Sequence, residues 1–292
     1  MKRCLKCCET YQSRVFSCPN CGWRPSIRNK IPIYSNNVTN KDNLEGFDED
    51  AYQGLSEVES GNFWFEARNK LILWAIKKYK NNFSSLLEIG CGTGYVLSGI
   101  AQFMPGRKLY GSDLFSKGLE FASKKNSDIQ LMEIDARDIP YAKEFDIIGA
   151  FDVLEHIEED MLVLRQIRDA LNDNGFLFIT VPQHKWLWSS IDQQACHVRR
   201  YAASELQSKI EKSGFELVYS TSFVSILLPL MYVSRLFSSK KSNAMNEFLL
   251  PSFINTVLYK IMVFELLLIK YGVCFPFGGS RLLVAKKTDN CM

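Results

Sequence analysis

The chain has 292 residues, 47% hydrophobic and 23% charged, a composition that belongs to a globular protein and excludes wholesale disorder. Its net charge of +3 is too small to mark a nucleic-acid protein by itself. The charge is uneven: residues 1–30 hold seven Lys or Arg against the single acid Glu9, which reads either as a solvated face or as a contact for phosphate or an anionic surface.

At the N-terminal end, Met1 leads directly into "KRCLKCC" with no apolar stretch behind it, and the chain has nine cysteines. That pattern predicts a cytoplasmic chain with free thiols or metal ligands. No apolar run reaches the roughly 18 uninterrupted residues of a membrane span. "CLKCCETYQSRVFSCPNCG" sets Cys4 with Cys7 and Cys18 with Cys21 as two C-x-x-C pairs. Each pair turns two thiolates toward one point, and two pairs predict a closed, structural Zn2+ site. Residues 1–30 are too few to bury a core, so metal would supply their folding energy. The segment looks like a small zinc ribbon, with Cys8 as a spare thiol. Residues 31–60 are polar and rich in Asn, Asp and Gly, and read as a linker.

"WFEARNKLILWAIKKYK" (64–80) predicts an amphipathic helix with Trp64, Arg68, Leu71, Ala75 and Tyr79 on one stripe. An arginine on such a stripe either snorkels to the rim or faces a pocket, which makes Trp64 and Arg68 candidate acceptor contacts. A short apolar strand, Leu86 to Ile89, then runs into Gly90, Gly92 and Gly94. Glycines at that spacing let the backbone turn sharply and approach a ligand closely. A dinucleotide fingerprint would place its third glycine at position 95, which is Tyr95. The acid Glu88 in the strand suits a cationic ligand rather than a pyrophosphate.

The strand and helix rhythm continues. "KLYGSDLF" ends a second strand in Asp113, positioned to accept ribose hydroxyls, with Leu114 beside it. "IQLMEIDARDIP" is a third strand followed by a loop with Asp135 and Asp138, and "FDIIGAFDVLEHI" a fourth that runs into Asp152, Glu155 and His156. A helix at about 159–171 precedes a fifth strand, "GFLFITVP"; "FELVYSTSF" and "SRLLVAKK" are the sixth and seventh. This order predicts an α/β, doubly wound, mostly parallel sheet with ligands at the carboxyl ends of its strands.

Taken as a set, "LEIGCGTG", the acid of "GSD", "DARDIP" and "DVLEHI" resemble the class I S-adenosylmethionine-dependent methyltransferases, over about residues 60–222 plus the last strand. The resemblance implies a seven-stranded Rossmann-like core at 61–223 and 280–288. It implies that Gly90, Gly92 and Gly94 approach the methionine portion of the cofactor with Glu88 supporting the loop. By the same resemblance Asp113 takes the ribose, Asp135 and Ala136 meet the adenine, and Phe151 lines the site. "FWFEARN" combined with H-x-R-R-Y is similar to a poorly characterised bacterial branch of that family, found among envelope, lipid and glycan biosynthesis functions.

"QHKWLWSSIDQQACHVRRY" (183–201) follows the fifth strand, on the acceptor side of such a sheet. Its residues suit a lid and acceptor wall. Trp186 and Trp188 exclude water and grip an apolar or ring-shaped acceptor, Arg199 and Arg200 hold a phosphate or carboxylate, and Tyr201 closes the wall. His197, with His184 as fallback and His156 nearby, is the candidate base for an acceptor hydroxyl; structural hydrogen bonding is the alternative for each. Residues 224–279 form a helical insertion. Pro251 suits its second helix's first position and Gly272 its stop. Phe253, Ile254, Val257, Leu258, Ile261, Phe264 and Leu268 project as one apolar face containing Glu265. That face predicts a cap on the core, a greasy entrance for a lipid-linked acceptor, or a patch lying on a membrane. The expected partner is therefore a small-molecule, lipid-linked or glycan-linked acceptor. The alternative is an rRNA or tRNA methyltransferase with a zinc-ribbon recognition module; the mild charge, and "AFDVLEH" in place of the (D/N)-P-P-(Y/F) used on base amino groups, speak against nucleic acid.

Overall fold

The structure is a computed structural model that describes residues 1–12, 16–34, 51–237 and 250–288. A central sheet of nine strands organises it. Five strands have buried interiors and run parallel: β5 (Ser85–Ile89), β6 (Lys108–Asp113), β7 (Gln130–Glu133), β8 (Phe145–Phe151) and β9 (Leu171–Pro182). The last strand, β11 (Ser280–Lys287), inserts antiparallel between β9 and β10 (Phe215–Phe223). The near-continuous apolar runs of β5 and β8 follow from helices covering both faces. The expected doubly wound, seven-stranded core is therefore present.

Two strands extend it. β4 (Ile31–Ile33) pairs in parallel with β7, and β3 (Ser26–Arg28) pairs with β4 as the exposed outer edge. Residues 31–60 are thus not a plain linker. Ile31–Ile33 belong to the sheet, and Ala51–Val58 forms helix α1, while 35–50 lie outside the described residues. A three-residue strand is too short to show an alternation in the sequence, so its polar surroundings hid it.

Two apolar clusters flank the sheet. On one face, α2 (Phe63–Tyr79), α3 (Tyr95–Phe103) and α9 (Ser252–Lys270) pack around Ile72, Leu97, Phe178 and Leu282. The other face holds α5 (Asp160–Ala170) and α7 (Ala203–Lys212), around Phe145, Leu164, Ile179 and Tyr201. α4 (Ser116–Lys125) follows β6. The N-terminal module, in which β1 (Lys2–Arg3) pairs with β2 (Thr10–Tyr11), docks on the segment after β7: Arg3 N donates to Pro140 O, and its guanidinium meets Asp138, Ile139 O and Gln166.

The insertion packs differently from its projection. α9 buries Met262, Glu265, Leu266 and Ile269 against the body, with Leu258 and Ile261 partly buried beside them. Phe253, Ile254, Val257 and Phe264 are exposed instead, as are Leu230, Tyr232 and Val233 of α8 (Leu228–Phe237). α9 is apolar almost all round, so the pattern could not say which side turned inward. With 19 residues and a mean hydropathy of 1.7, α9 is also long and apolar enough to cross a membrane by length and composition, a property that the buried Glu265 and the packing on α2 weigh against. Pro251 sits at the N-cap, one place before the expected position, and Gly272 ends the helix with φ +99°.

Candidate active site

The loop after β5 is built for close approach. Gly90 has φ +64°, and a Cβ there would stand 2.5 Å from a Val153 methyl. Gly94 has φ +75°, and its Cβ would stand 2.9 Å from that of Ala122. A side chain at either position would push apart the loop, α4 and the segment after β8. Glu88 is buried beneath this loop with Oε2 lacking a hydrogen-bond partner; burial pushes its carboxyl up to about 8, against the opposing pull of Arg68. A buried carboxylate short of a partner suits a cationic ligand.

Asp113, at the end of β6, accepts from Gly92 N and Phe115 N, both at 2.9 Å, and from Tyr52 Oη at 3.3 Å. Its first task is therefore to hold the glycine loop against its own strand end. Tyr52 comes from α1, in the stretch that read as linker. Its ring lies 3.8 Å from where a Cβ of Gly92 would stand. Further along α1's end, buried Glu59 accepts from Thr93 Oγ1 at 2.6 Å and from Lys125 Nζ at 2.7 Å. Tyr52 and Glu59 together lay α1 over the loop. Sequence reasoning missed both, because a single short helix behind a polar run gives a weak signal; their seven-residue spacing, which keeps one helix face, was the available clue.

Past β7, Asp135 is bound by Arg137, whose guanidinium reaches both of its oxygens at 2.7–3.2 Å, with Ala136 buried beside it. An adenine amino group at Asp135 would share the carboxylate with Arg137. Phe151 is buried at the end of β8, and its carbonyl accepts from Arg68 Nη2 at 3.0 Å. Arg68 is not snorkelling. It is buried, lies 5.0 Å over the Trp64 ring, and pairs with Asp152 at 2.6 Å. Asp152 has φ +58°, a left-handed conformation that a non-glycine residue adopts only where the surroundings hold it. Leu114 is half-buried after Asp113.

The next residues, Glu155 and His156, meet His197 from the loop after β9. The two imidazole rings are 4.8 Å apart at 77°, and the ligand atoms of Glu155, His156 and His197 all lie within 4.8 Å of one another. Val198 N donates to Glu155 O at 2.7 Å and fixes the two segments together. Burial, and then His197, lower His156 to about 4, so its ring is neutral near pH 7. Burial and Asp152 push Glu155 well above the carboxylate range.

H-x-R-R-Y has a different job from the one expected for its charges. His197 Nδ1 lies 3.0 Å from Asp192 Oδ1, and Arg200 Nε donates to that oxygen at 2.7 Å. Burial would raise Asp192, but His197 and Arg200 hold it down to about 2. Arg200 is buried and also donates to Gln183 O. Arg199 pairs with Asp160 at 2.7 Å and Glu158 at 2.9 Å, and Tyr201 Oη donates to Asp160 at 2.8 Å. Arg199, Arg200 and Tyr201 are therefore engaged by internal carboxylates rather than left unpaired for an acceptor. The sequence could not show this, because Asp160 and Asp192 are brought up by folding. Asp192, which also caps α6 (Ser190–Gln194) through Ser189, went unassigned.

His184 stands apart from this cluster's bonds. It is stacked between Trp186 (5.0 Å) and Phe277 (5.6 Å), with Nε2 buried and unpartnered, and burial lowers its pKa. Trp186 is 54% exposed and meets Tyr232 of α8 edge-on at 5.6 Å; Trp188 is also exposed. Trp186 and His184 thus join the insertion rather than the His156–His197 pair.

At the far end, Cys4 and Cys18 are buried, and the Cys4–Cys21 and Cys7–Cys18 sulfur distances are both 3.6 Å. A tetrahedral Zn2+ at about 2.3 Å from each sulfur sets sulfurs about 3.8 Å apart, so the four thiols fit it. Cys8 points outward with φ +61°.

Residues 61–220, more than half of the chain, match the family model described as a methyltransferase domain. The chain belongs to this methyltransferase-domain family. It is 22% identical over 164 residues to a "Probable S-adenosylmethionine-dependent methyltransferase" of Mycobacterium tuberculosis, covering 55% of this chain and 58% of that protein. It is 30% identical over 108 residues to a malonyl-[acyl-carrier protein] O-methyltransferase of Halalkalibacterium halodurans, covering 35% and 40%. The chain thus spans 40–58% of the length of these curated relatives. Among solved structures, phosphoethanolamine N-methyltransferase 2 of Haemonchus contortus, in complex with S-adenosyl-L-methionine, shares the fold at TM-score 0.55 and 18% identity over 83% of this chain and 58% of that one. The [4+2]-cyclase SpnF shares it at TM-score 0.53 and 18% identity, over 78% and 84%. A methyltransferase domain's fold therefore does not fix its chemistry; its site must carry that argument.

Proposed function

We propose that the chain is an S-adenosylmethionine-dependent methyltransferase that acts on an oxygen of a small-molecule, lipid-linked or glycan-linked acceptor. The observation that carries the reading is the juxtaposition at the carboxyl ends of β5 and β8. A glycine loop with a buried, partner-seeking Glu88 touches Val153, two residues before Glu155 and three before His156. When bound, S-adenosylmethionine supplies an electrophilic methyl group on a sulfonium. Glu88 and the loop backbone suit its positive charge, and Asp113 takes the ribose in exchange for its Tyr52 contact. The acceptor hydroxyl is activated at His197, whose ring Asp192 orients as a carboxylate orients a catalytic imidazole elsewhere. Trp64 and Arg68 form the wall between the two halves.

The lipid-linked form of the acceptor draws support from Trp186 against Tyr232. That contact joins the loop after β9 to the exposed apolar side chains of α8 and α9, a face suited to lying on the cytoplasmic side of a membrane. The sulfur spacing at the N-terminus supports a structural Zn2+ on Cys4, Cys7, Cys18 and Cys21. Titration calorimetry of the zinc-loaded protein with S-adenosylmethionine tests the central reading. Binding that weakens at least tenfold in Asp113→Ala is expected, from loss of a charged hydrogen bond of about 1.5–3 kcal/mol. No binding by the wild type would refute it.

A further inference from the structure

We propose that Glu155, His156 and His197 hold a divalent transition-metal ion beside the cofactor loop, and that this ion is what activates the acceptor oxygen. The inference rests on the methyltransferase reading of the site and supplies the means of activation that the reading left to His197.

Three observations point to an ion. The ligand atoms of the three residues lie within 4.8 Å of one another, although they come from two separate loops. Glu155 is fully buried with neither carboxylate oxygen hydrogen-bonded, a costly arrangement that a cation in the cluster resolves. Both histidines are braced from behind, as metal-bound histidines are. The Nδ1 of His197 faces the Asp192 carboxylate at 3.0 Å, and the His156 ring bonds the backbone of Cys196. Arg200 holds Asp192 from the far side and Val198 N holds Glu155 O, so the brace is built into the loop.

Two imidazoles and one carboxylate suit Zn2+, Mn2+ or Fe2+ better than Ca2+ or Mg2+, and leave coordination positions open for a substrate. An acceptor with a hydroxyl beside a second oxygen, such as a diol, hydroxy acid or phosphate-bearing alcohol, would fill them. The ion lowers the hydroxyl's proton affinity, and the proton leaves to water. The oxygen's electron pair then forms the new C–O bond as the C–S bond breaks, its electrons staying on the sulfur. His197 is a ligand here rather than the proton's destination.

The test loads the protein with one equivalent of Zn2+ under reducing conditions, which the four-thiolate site takes first, then adds Mn2+ and follows its electron paramagnetic resonance. The thiolate site retains zinc, so bound Mn2+ reports the second site. About one Mn2+ per chain is expected in the wild type. Glu155→Gln and His197→Ala should lose it, and Asp192→Asn should weaken it by about 10–100-fold. Cys18→Ser, given Mn2+ without zinc, should keep it. Calorimetry with S-adenosylmethionine shows that each variant is folded. A wild type that binds no Mn2+, or variants that bind it as the wild type does, would overturn the metal site. If that wild type still binds S-adenosylmethionine, the methyltransferase reading stands; Mn2+ binding without S-adenosylmethionine binding would be the converse failure.

Discussion

Burial keeps the Glu88 carboxyl protonated up to about pH 8, and this has a testable sign. A carboxyl whose folded value lies above its unfolded value of about 4.3 contributes stability that is fully present below that value. The contribution is lost as pH rises toward about 8, because the unfolded chain ionises first. Without ligand, the wild type should therefore lose stability relative to Glu88→Gln as pH rises from about 5 to about 8. Thermal melts of the two proteins across that range check it, and parallel profiles would count against a buried, neutral Glu88. A cationic ligand reverses the preference, since it stabilises the carboxylate. The wild type's advantage over Glu88→Gln in binding S-adenosylmethionine should grow as pH rises through 8. Arg68 is tuned by the same neighbourhood. It bonds Phe151 O and Asp152 at once, so Arg68→Ala would strand the left-handed Asp152 and disturb both halves of the site.

Individual elements show what the sequence could and could not disclose. Strands β5, β6 and β8 were legible because their apolar runs end in glycine or acid, and the Cys pairs because their spacing is itself a geometry. Helix α1 and strand β4 were not, since each is too short for a period and is held by long-range bonds such as Tyr52 to Asp113. In H-x-R-R-Y the residues stood out while their partners did not. The motif alternates, with His197 and Arg200 on Asp192 and Arg199 and Tyr201 on Asp160, and only the fold delivers the two acids. Glu265 is a similar case. On an apolar helix face it looked misplaced, yet its Oε2 accepts from Ser225 N and Ile226 N, both at 2.7 Å. It ties α9 to the turn between β10 and α8. Glu265→Ala would leave two partly buried N–H groups unsatisfied, at about 1–3 kcal/mol, and should lower the melting temperature by several degrees. Phe253→Ser on the exposed side should leave that temperature unchanged but weaken sedimentation with anionic vesicles if the face meets lipid. A variant that sediments like the wild type would make the face an ordinary surface.

Across the whole molecule, the N-terminal module and the insertion load opposite edges of one sheet. The insertion sits by β10 and β11, next to the loop after β9. The module adds β3 and β4 outside β7, and Arg3 braces the loop that carries Asp135. Among the described residues, its own buried cluster is Cys4, Tyr11 and Cys18, with Cys7, Cys21 and Trp23 partly buried around it, too little apolar surface to hold it folded without help. Zinc should therefore stabilise this edge and not the core. The protein should carry about one tightly held zinc per chain beyond any ion at Glu155, and Cys18→Ser should release it. Hydrogen exchange should then rise in residues 1–34 and along β7, while β5 and β8, covered by helices on both sides, keep their protection. Affinity for S-adenosylmethionine should fall by less than about tenfold, or about 1.4 kcal/mol, since the bonds that hold Asp113 and the glycine loop among the described residues come from Gly92, Phe115 and Tyr52. Elemental analysis with exchange mass spectrometry separates the outcomes. Protein that holds no zinc under reducing conditions would remove the metal from this account. Loss of zinc that abolished cofactor binding would show that the module is part of the site.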